Sequence, residues 1–357
     1  MTPTTPTAAT DAAGRGAAFL TGGSRLFASS EEKALAKVLD EGLEAIEQGL
    51  ERELKFSEDI ADAVARYLFA AGGKRVRPLL LLLTAQWSEG INERVIKAAQ
   101  VIELTHLATL YHDDVMDEAA QRRGVAAAQT VWGNSVAILA GDLLFARAGS
   151  LGGSLGQQAI TLQAATFERL CVGQMRETTG PKPGQDPIAH YLNVLSDKTG
   201  SLIALAAEFG IRMSGGEESL IPPARKFGEK IGIAFQLVDD VIDLAERDSG
   251  TGKPPGTDVR RGVTTLPMLY LRELADTGDA DAAALLAKLT PGVLGEATDA
   301  EFHKSIAELR NHPVTERTMD TARQKADEAI AELDAVPEGI VKEALIRFAH
   351  QVVKRSH

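Results

Sequence analysis

Residues 101–124 read VIELTHLATLYHDDVMDEAAQRRG, an apolar helical run closing on three aspartates, Asp113, Asp114 and Asp117. Apolar side chains recur at three- and four-residue spacing until the acids begin, the pattern of a helix buried along one face. Asp113 and Asp117 stand four residues apart and so share a face. Like charges at that spacing repel, and burying them beside apolar surface is costly unless cations compensate. Oxygen ligands without nitrogen or sulfur partners suit a hard cation such as Mg²⁺, which also takes phosphate oxygens.

The pattern recurs in IGIAFQLVDDVIDLAERD at 231–248, where Asp239, Asp240 and Asp243 end another largely apolar helix. One such run alone is a weak signal and reads more readily as a solvated acidic turn; two, each closing a long apolar helix, reverse that reading. If the two helices face each other across a bundle core, six carboxylates line one cavity, and such a cavity binds several divalent ions and, through them, a diphosphate.

Basic residues sit where an anion would need them. In AAGGKRVRPLL at 70–80, Gly72 and Gly73 free the backbone, and Lys74, Arg75 and Arg77 precede a helix expected to start at Pro78. A helix N-terminus flanked by Lys and Arg is a diphosphate seat. Arg122 and Arg123 follow the first acidic run closely enough to grip phosphate oxygens, and Lys198 in LSDKTGSL and Lys253 in TGKPPGTD are point charges beside small residues. Each has a plainer reading as a solvated charge. His106, two turns before Asp113 on the same face, points toward the acids or is an ordinary core histidine.

Working outward, helical periodicity runs from Ser29 to the end, and strand signals are nearly absent. Helices are expected at about 30–54, 57–70, 78–88, 93–118, 127–150, 157–177, 187–213 and 217–247, then at 264–276, 278–289, 296–310, 314–334 and 337–354, with Ser29 and Glu32 as a capping box for the first. Gly, Pro, Ser and Asp punctuate the joints, and no linker or repeat divides the chain. The reading is therefore one all-α domain over 29–357 after a disordered Thr/Ala/Pro-rich tail at 1–28.

A chain of 357 residues with 44% apolar composition buries a large core, and a net charge of −12 leaves no global positive field for nucleic acid. The single cysteine, Cys171, lies in a helical run as a packed small hydrophobe, and no Cys/His spacing fits zinc. No signal peptide is read at the N-terminus, and PLLLLLTA at 78–85 is far short of the ~20 residues of a membrane span, so a cytoplasmic protein without a transmembrane segment is expected.

The motifs GGKRVRP, HLATLYHDDVMD with its trailing RR, GQ at 173–174, DKTG, FQLVDDVIDL and GKPPGTD stand in the order found in the trans-isoprenyl diphosphate synthases, the polyprenyl synthetase family, which the chain resembles over roughly 35–350. The resemblance implies a single large helical bundle of the isoprenoid synthase type, and a homodimer. It implies a Mg²⁺-dependent prenyltransferase that condenses isopentenyl diphosphate onto an allylic diphosphate by ionisation, condensation and elimination. By it, Asp113, Asp117 and Asp239 ligate about three Mg²⁺ ions that hold the allylic diphosphate, supported by Asp114, Asp240 and Asp243. Arg122, Lys198 and Lys253 grip the same diphosphate; Lys74, Arg77, His106 and Arg123 bind isopentenyl diphosphate; Thr199 and Gln236, with Lys198, line the reacting centre.

Two positions depart from the family pattern. Val263 stands where a lysine often follows the GTD, leaving Arg260 or Arg261 as substitutes, and Glu177 replaces an aspartate after the GQ. The family's length-determining position, five before the first Asp, is Ala108, with Thr109 beside it. Small residues there leave a tunnel open, implying a product beyond C20, in the range C30 to C50 of quinone side chains, unloaded through peripheral membrane contact. Alternatives are a C20 geranylgeranyl diphosphate synthase, a terpene cyclase, which lacks a second intact DDxxD, and a non-catalytic subunit of a heteromeric synthase.

Overall fold

A computed structural model describes residues 29–245, 255–290, 293 and 298–355. The tail expected at 1–28 and the phosphate contact expected of Lys253 lie outside the described residues. The described chain is helical almost throughout: α1 Ser30–Glu53, α2 Asp59–Ala70, α3 Val76–Ala85, α4 Glu93–Met116, α5 Ala128–Trp132, α6 Asn134–Leu155, α7 Gln157–Thr179, α8 Pro187–Leu195, α9 Ser201–Met213 and α10 Ile221–Asp243. After these come α11 Thr257–Arg260, α12 Leu266–Asp276, α13 Ala280–Lys288, α14 Asp299–Asn311, α15 Pro313–Glu332 and α16 Ile340–Lys354. The expected capping box forms: the Ser29 hydroxyl accepts from the Glu32 amide, and the Glu32 carboxylate accepts from the Ser29 amide.

Four local differences from the periodicity bear on function. The helix expected at 127–150 breaks at Gly133, whose φ of 83° ends α5. The run 187–213 is interrupted by one π-helical turn, Ser196–Gly200, carrying Lys198 and Thr199. α3 starts at Val76 rather than Pro78, so Arg77 lies inside its first turn. Between α4 and α5, Gln121–Arg122 (β1) pairs antiparallel with Val125–Ala126 (β2) around Arg123 and Gly124, both at positive φ, the combination a two-residue hairpin turn needs.

Two compact units make up the described residues. The first holds the chain up to Glu168 with Leu202–Gly228 and Glu332–Phe348. Within it α4 packs along α6, and α1 and α3 also lie against α4. A Cβ at Gly141 would overlap the His112 ring, so α6 approaches α4 more closely there than any side chain permits. The fully buried Leu39, Ile46, Leu50, Leu80, Tyr111 and Phe209 belong to this core; buried apolar side chains of this size contribute roughly 1.5–3 kcal/mol each. The second unit, Arg169–Ser201, Glu229–Ala331 and the chain from Ala349, has its own core of Tyr191, Leu237, Leu266, Leu271, Phe302 and Leu309.

Candidate active site

In the first unit the site is built along α4. Asp113 and Asp114 lie in the last turn of this helix and Asp117 is its C-cap. Carboxylates at a helix C-terminus face the negative end of its dipole, so an external cation is the natural compensation for the partly exposed Asp113 and Asp117. Asp114 is different: it is fully buried, and one oxygen takes the Arg122 guanidinium at 2.7 and 2.6 Å. Arg122 therefore leaves the β-hairpin to clamp the acidic turn from within.

Three residues up α4 from His106, Glu103 is buried and accepts from Arg75 at 2.8 Å, while Glu47 of α1 takes the other side of the same guanidinium. Burial lowers the Arg75 pKa, but the two carboxylates more than offset it and the net direction is up. Arg123 is tucked under the loop, donating to the Leu68 carbonyl at 2.9 Å; burial brings its pKa down to about 10, still charged at neutral pH. His106, on the same helix, is within the electrostatic reach of these cations. Burial, then the fields of Arg77, Arg123, Arg122 and Arg75, hold its imidazolium well below the usual histidine range, so the ring is neutral. A neutral imidazole within a cluster of guanidinium groups is equipped to meet an anion without a metal.

The second unit carries the other candidate residues. Asp239, Asp240 and Asp243 close α10, again at a helix C-terminus. Asp240 is the buried member: it accepts from the Tyr191 hydroxyl at 2.6 Å and from the Leu266 amide, and burial pushes both its carboxyl and the phenol upward. Asp243 accepts the Asp258 amide at 3.0 Å, anchoring the GTD segment. Asp239 meets Arg355 at 3.0 Å, with that guanidinium stacked 4.2 Å over Phe235. On the π-turn, Lys198 pairs with Glu177, and Thr199 donates to Gln236 Oε1 at 3.4 Å.

Among the described residues no group of three or more His, Cys, Asp or Glu side chains is gathered closely enough to hold a metal alone. The half-exposed Asp113 and Asp117 are hard oxygen donors of the kind a divalent cation takes together with phosphate oxygens and waters.

The sequence model of the polyprenyl synthetase family matches residues 58–292. The nonaprenyl diphosphate synthase of Mycobacterium tuberculosis is 42% identical over 325 residues, 91% of this chain and 95% of the relative. A polyprenyl synthase from Caulobacter crescentus, solved with calcium and isoprenyl diphosphate, superposes with a TM-score of 0.82 at 31% identity, over 90% of this chain and 97% of that one. A geranylgeranyl pyrophosphate synthase from Corynebacterium glutamicum, likewise with calcium and isoprenyl diphosphate, gives 0.77 at 40% identity, over 92% and 99%. The chain belongs to the polyprenyl synthetase family.

This synthetase thus groups the sequence-predicted residues by unit: Lys74, Arg77, His106, Asp113, Asp114, Asp117, Arg122 and Arg123 in the first, Lys198, Thr199, Gln236, Asp239, Asp240 and Asp243 in the second. His106 lies on α4 two turns before Asp113, as its spacing required, and feels the charges of Arg77, Arg123, Arg122 and Arg75. Arg260, offered as a substitute for the lysine missing at Val263, donates to Asp299 at 2.7 Å and stacks on Phe302. Arg261 is exposed. Ala108 and Thr109 are both buried on α4, with the Thr109 hydroxyl donating back to the His106 carbonyl. Periodicity did not single out Glu103, Tyr191 or Arg355; a lone acid inside VIELTHL was a signal for the first, and nothing local marks the other two.

Proposed function

We propose that this synthetase is a trans-prenyltransferase that condenses isopentenyl diphosphate with an allylic diphosphate to give an all-trans polyprenyl diphosphate longer than C20. The observation that carries the reading is an acidic helix end in each unit, together with Arg77, Arg122 and Arg123 in the first, whose charges keep His106 neutral. A reaction joining two diphosphates needs both kinds of seat. The relatives named as nonaprenyl and octaprenyl diphosphate synthases support the long product, as do the small Ala108 and Thr109.

Asp113, Asp117 and Asp239 are the proposed ligands of about three Mg²⁺ ions carrying the allylic diphosphate, and Asp114, Asp240 and Asp243 hold the turns that present them. When bound, Mg²⁺ supplies Lewis-acid stabilisation of the charge that develops on the leaving diphosphate. Lys198 and Lys253 add charge to the same group, with Arg122 near it through Asp114. Lys74, Arg77, Arg123 and the His106 N–H seat isopentenyl diphosphate. The Thr199 hydroxyl and Gln236 amide present oxygen dipoles to an allylic cation, and apolar helix faces keep water from it.

Among the described residues one helix, α6, is long and apolar enough to cross a bilayer by length and composition. Asp142 and Arg147 interrupt it, and its inner stripe of Ala137, Gly141, Leu144 and Ala148 belongs to the core. The proposed role of its outer apolar stripe, Ile138 and Leu139, is the interface of a homodimer. Cytoplasmic residence, with peripheral membrane contact for product release, completes the proposal.

Purified protein incubated with radiolabelled isopentenyl diphosphate, Mg²⁺ and farnesyl or geranylgeranyl diphosphate tests the activity. Products beyond C20 that vanish with chelator are expected. A product stopping at C20 would make it a geranylgeranyl diphosphate synthase, and no elongation from either primer would sink the reading in favour of a silent partner subunit.

A further inference from the structure

We infer that Arg75, locked between Glu47 and Glu103, is a positioning residue that fixes the Lys74–Arg77 turn for the metal-free diphosphate. The inference deepens the proposed function and rests on it.

Arg75 is the N-cap of α3 and sits in the left-handed region, φ 51° and ψ 35°. A side chain with a Cβ pays of order 1 kcal/mol or more for that conformation and keeps it only where its surroundings dictate it. Here they do: the guanidinium is almost wholly buried, its Nε and Nη2 on Glu47 of α1 and its Nη1 on Glu103 of α4, and it lies 5.0 Å over the Phe69 ring. Of the flanking residues, Lys74 is exposed and Arg77 is half-buried in the first turn of α3, its charge felt at His106. One inverted arginine thus nails the turn to two core helices, with Lys74 and Arg77 flanking it in the proposed seat.

Two details tie the lock to the seat rather than to the fold alone. Glu103 also stabilises the charge on Arg123, and it stands one helical turn before His106, so a single carboxylate references both basic groups to the same helix. Gly73 lies against both cations: a Cβ there would come within 2.6 Å of Arg75 Nη1 and 3.1 Å of Arg123 Nη2. With Arg75 pinned by two carboxylates, neither guanidinium yields space cheaply. Of the non-glycine residues at positive φ, Arg75 and Arg123 both face this glycine.

Charge and position make opposite predictions for Glu103→Gln, which keeps the shape but removes a negative charge beneath the seat. A purely electrostatic role would tighten isopentenyl diphosphate. Positioning raises its KM by about tenfold, with the allylic KM within about twofold and kcat at saturation within about threefold. Arg75→Lys, which retains the charge but cannot fork to two carboxylates, guards against misfolding of the first variant and is expected to behave alike. Calorimetry with inorganic pyrophosphate in the presence of chelator reads the seat without turnover, and both variants should bind about tenfold more weakly than wild type. An unchanged or lowered isopentenyl diphosphate KM, or both substrates' KM rising together, overturns the inference. Failure of the wild-type protein to elongate any primer would instead overturn the activity, leaving pyrophosphate binding to score Arg75 and Glu103.

Discussion

Asp113 and Asp114 are neighbours in the chain with opposite duties. Asp114 is buried and bonded to Arg122, whereas Asp113 is partly exposed at the negative end of α4 with Asp117 four residues on. Asp113→Asn keeps the shape of a half-exposed side chain, so it should cost under about 1 kcal/mol of stability while elongation falls by at least about a hundredfold. Asp114→Asn uncouples a buried charge and should cost about 3 kcal/mol in chemical denaturation. Equal stability losses in the two variants would contradict the division. His106 gives a prediction in pH. Its folded pKa lies well below the 6.5 of the unfolded chain, so below that value the unfolded state takes up a proton the native state refuses. Its contribution is intact above pH 6.5 and is lost as pH falls, by roughly 1 kcal/mol per pH unit. Denaturation midpoints at pH 7.5 and 5.5 should differ less in His106→Asn than in wild type; an identical pH dependence would mean that the ring takes up its proton as readily in the fold as in the unfolded chain.

At the level of elements, the helices were legible because each buries one stripe, and 3.6-residue periodicity reports that directly. What periodicity missed is local chemistry that overrides it. Gly133 breaks an otherwise continuous apolar run through its positive φ, and a π-turn enters between α8 and α9 where Asp197, in ion pairs with Arg169 and Arg176, and Ser196 hold the backbone. The acidic pairs, their shared faces and the basic turn were readable from spacing, whereas the inward rotation of Asp114, Asp240 and Arg75 was not, because burial is decided by partners far along the chain. Two tests belong to α4. Ala108→Phe places a ring on its buried face one turn before the acids, and products should shorten by two or more isoprene units by chain-length chromatography; an unchanged distribution would remove Ala108 from the tunnel. Gly141→Ala on α6 must push the His112 ring aside, and a loss of about 1–3 kcal/mol in thermal or chemical unfolding is expected from such overpacking.

For the whole molecule, the outer face of α6 leaves Leu139 60% and Ile138 42% exposed, with Met116 and Ile160 also exposed elsewhere in the same unit. Single exposed apolar residues need no explanation; two consecutive ones on a helix whose other stripe is core are the surface that the proposed homodimer would cover. A lipid surface would suit the apolar stripe, yet Asp142, 60% exposed at its side chain, and Arg147 sit on the same helix, and a charge within a bilayer costs several kcal/mol. A second copy of the chain accommodates both, since a dimer interface of about 800 Å² per partner combines an apolar centre with a polar rim. Leu139→Glu combined with Ile138→Lys should therefore convert a dimer into a monomer in sedimentation equilibrium, with the isolated fold retained by circular dichroism. A wild-type protein that is monomeric at micromolar concentration, or a double variant that stays dimeric, would remove this face from the interface; release of the wild type from anionic vesicles by the same double variant would assign it to the membrane instead.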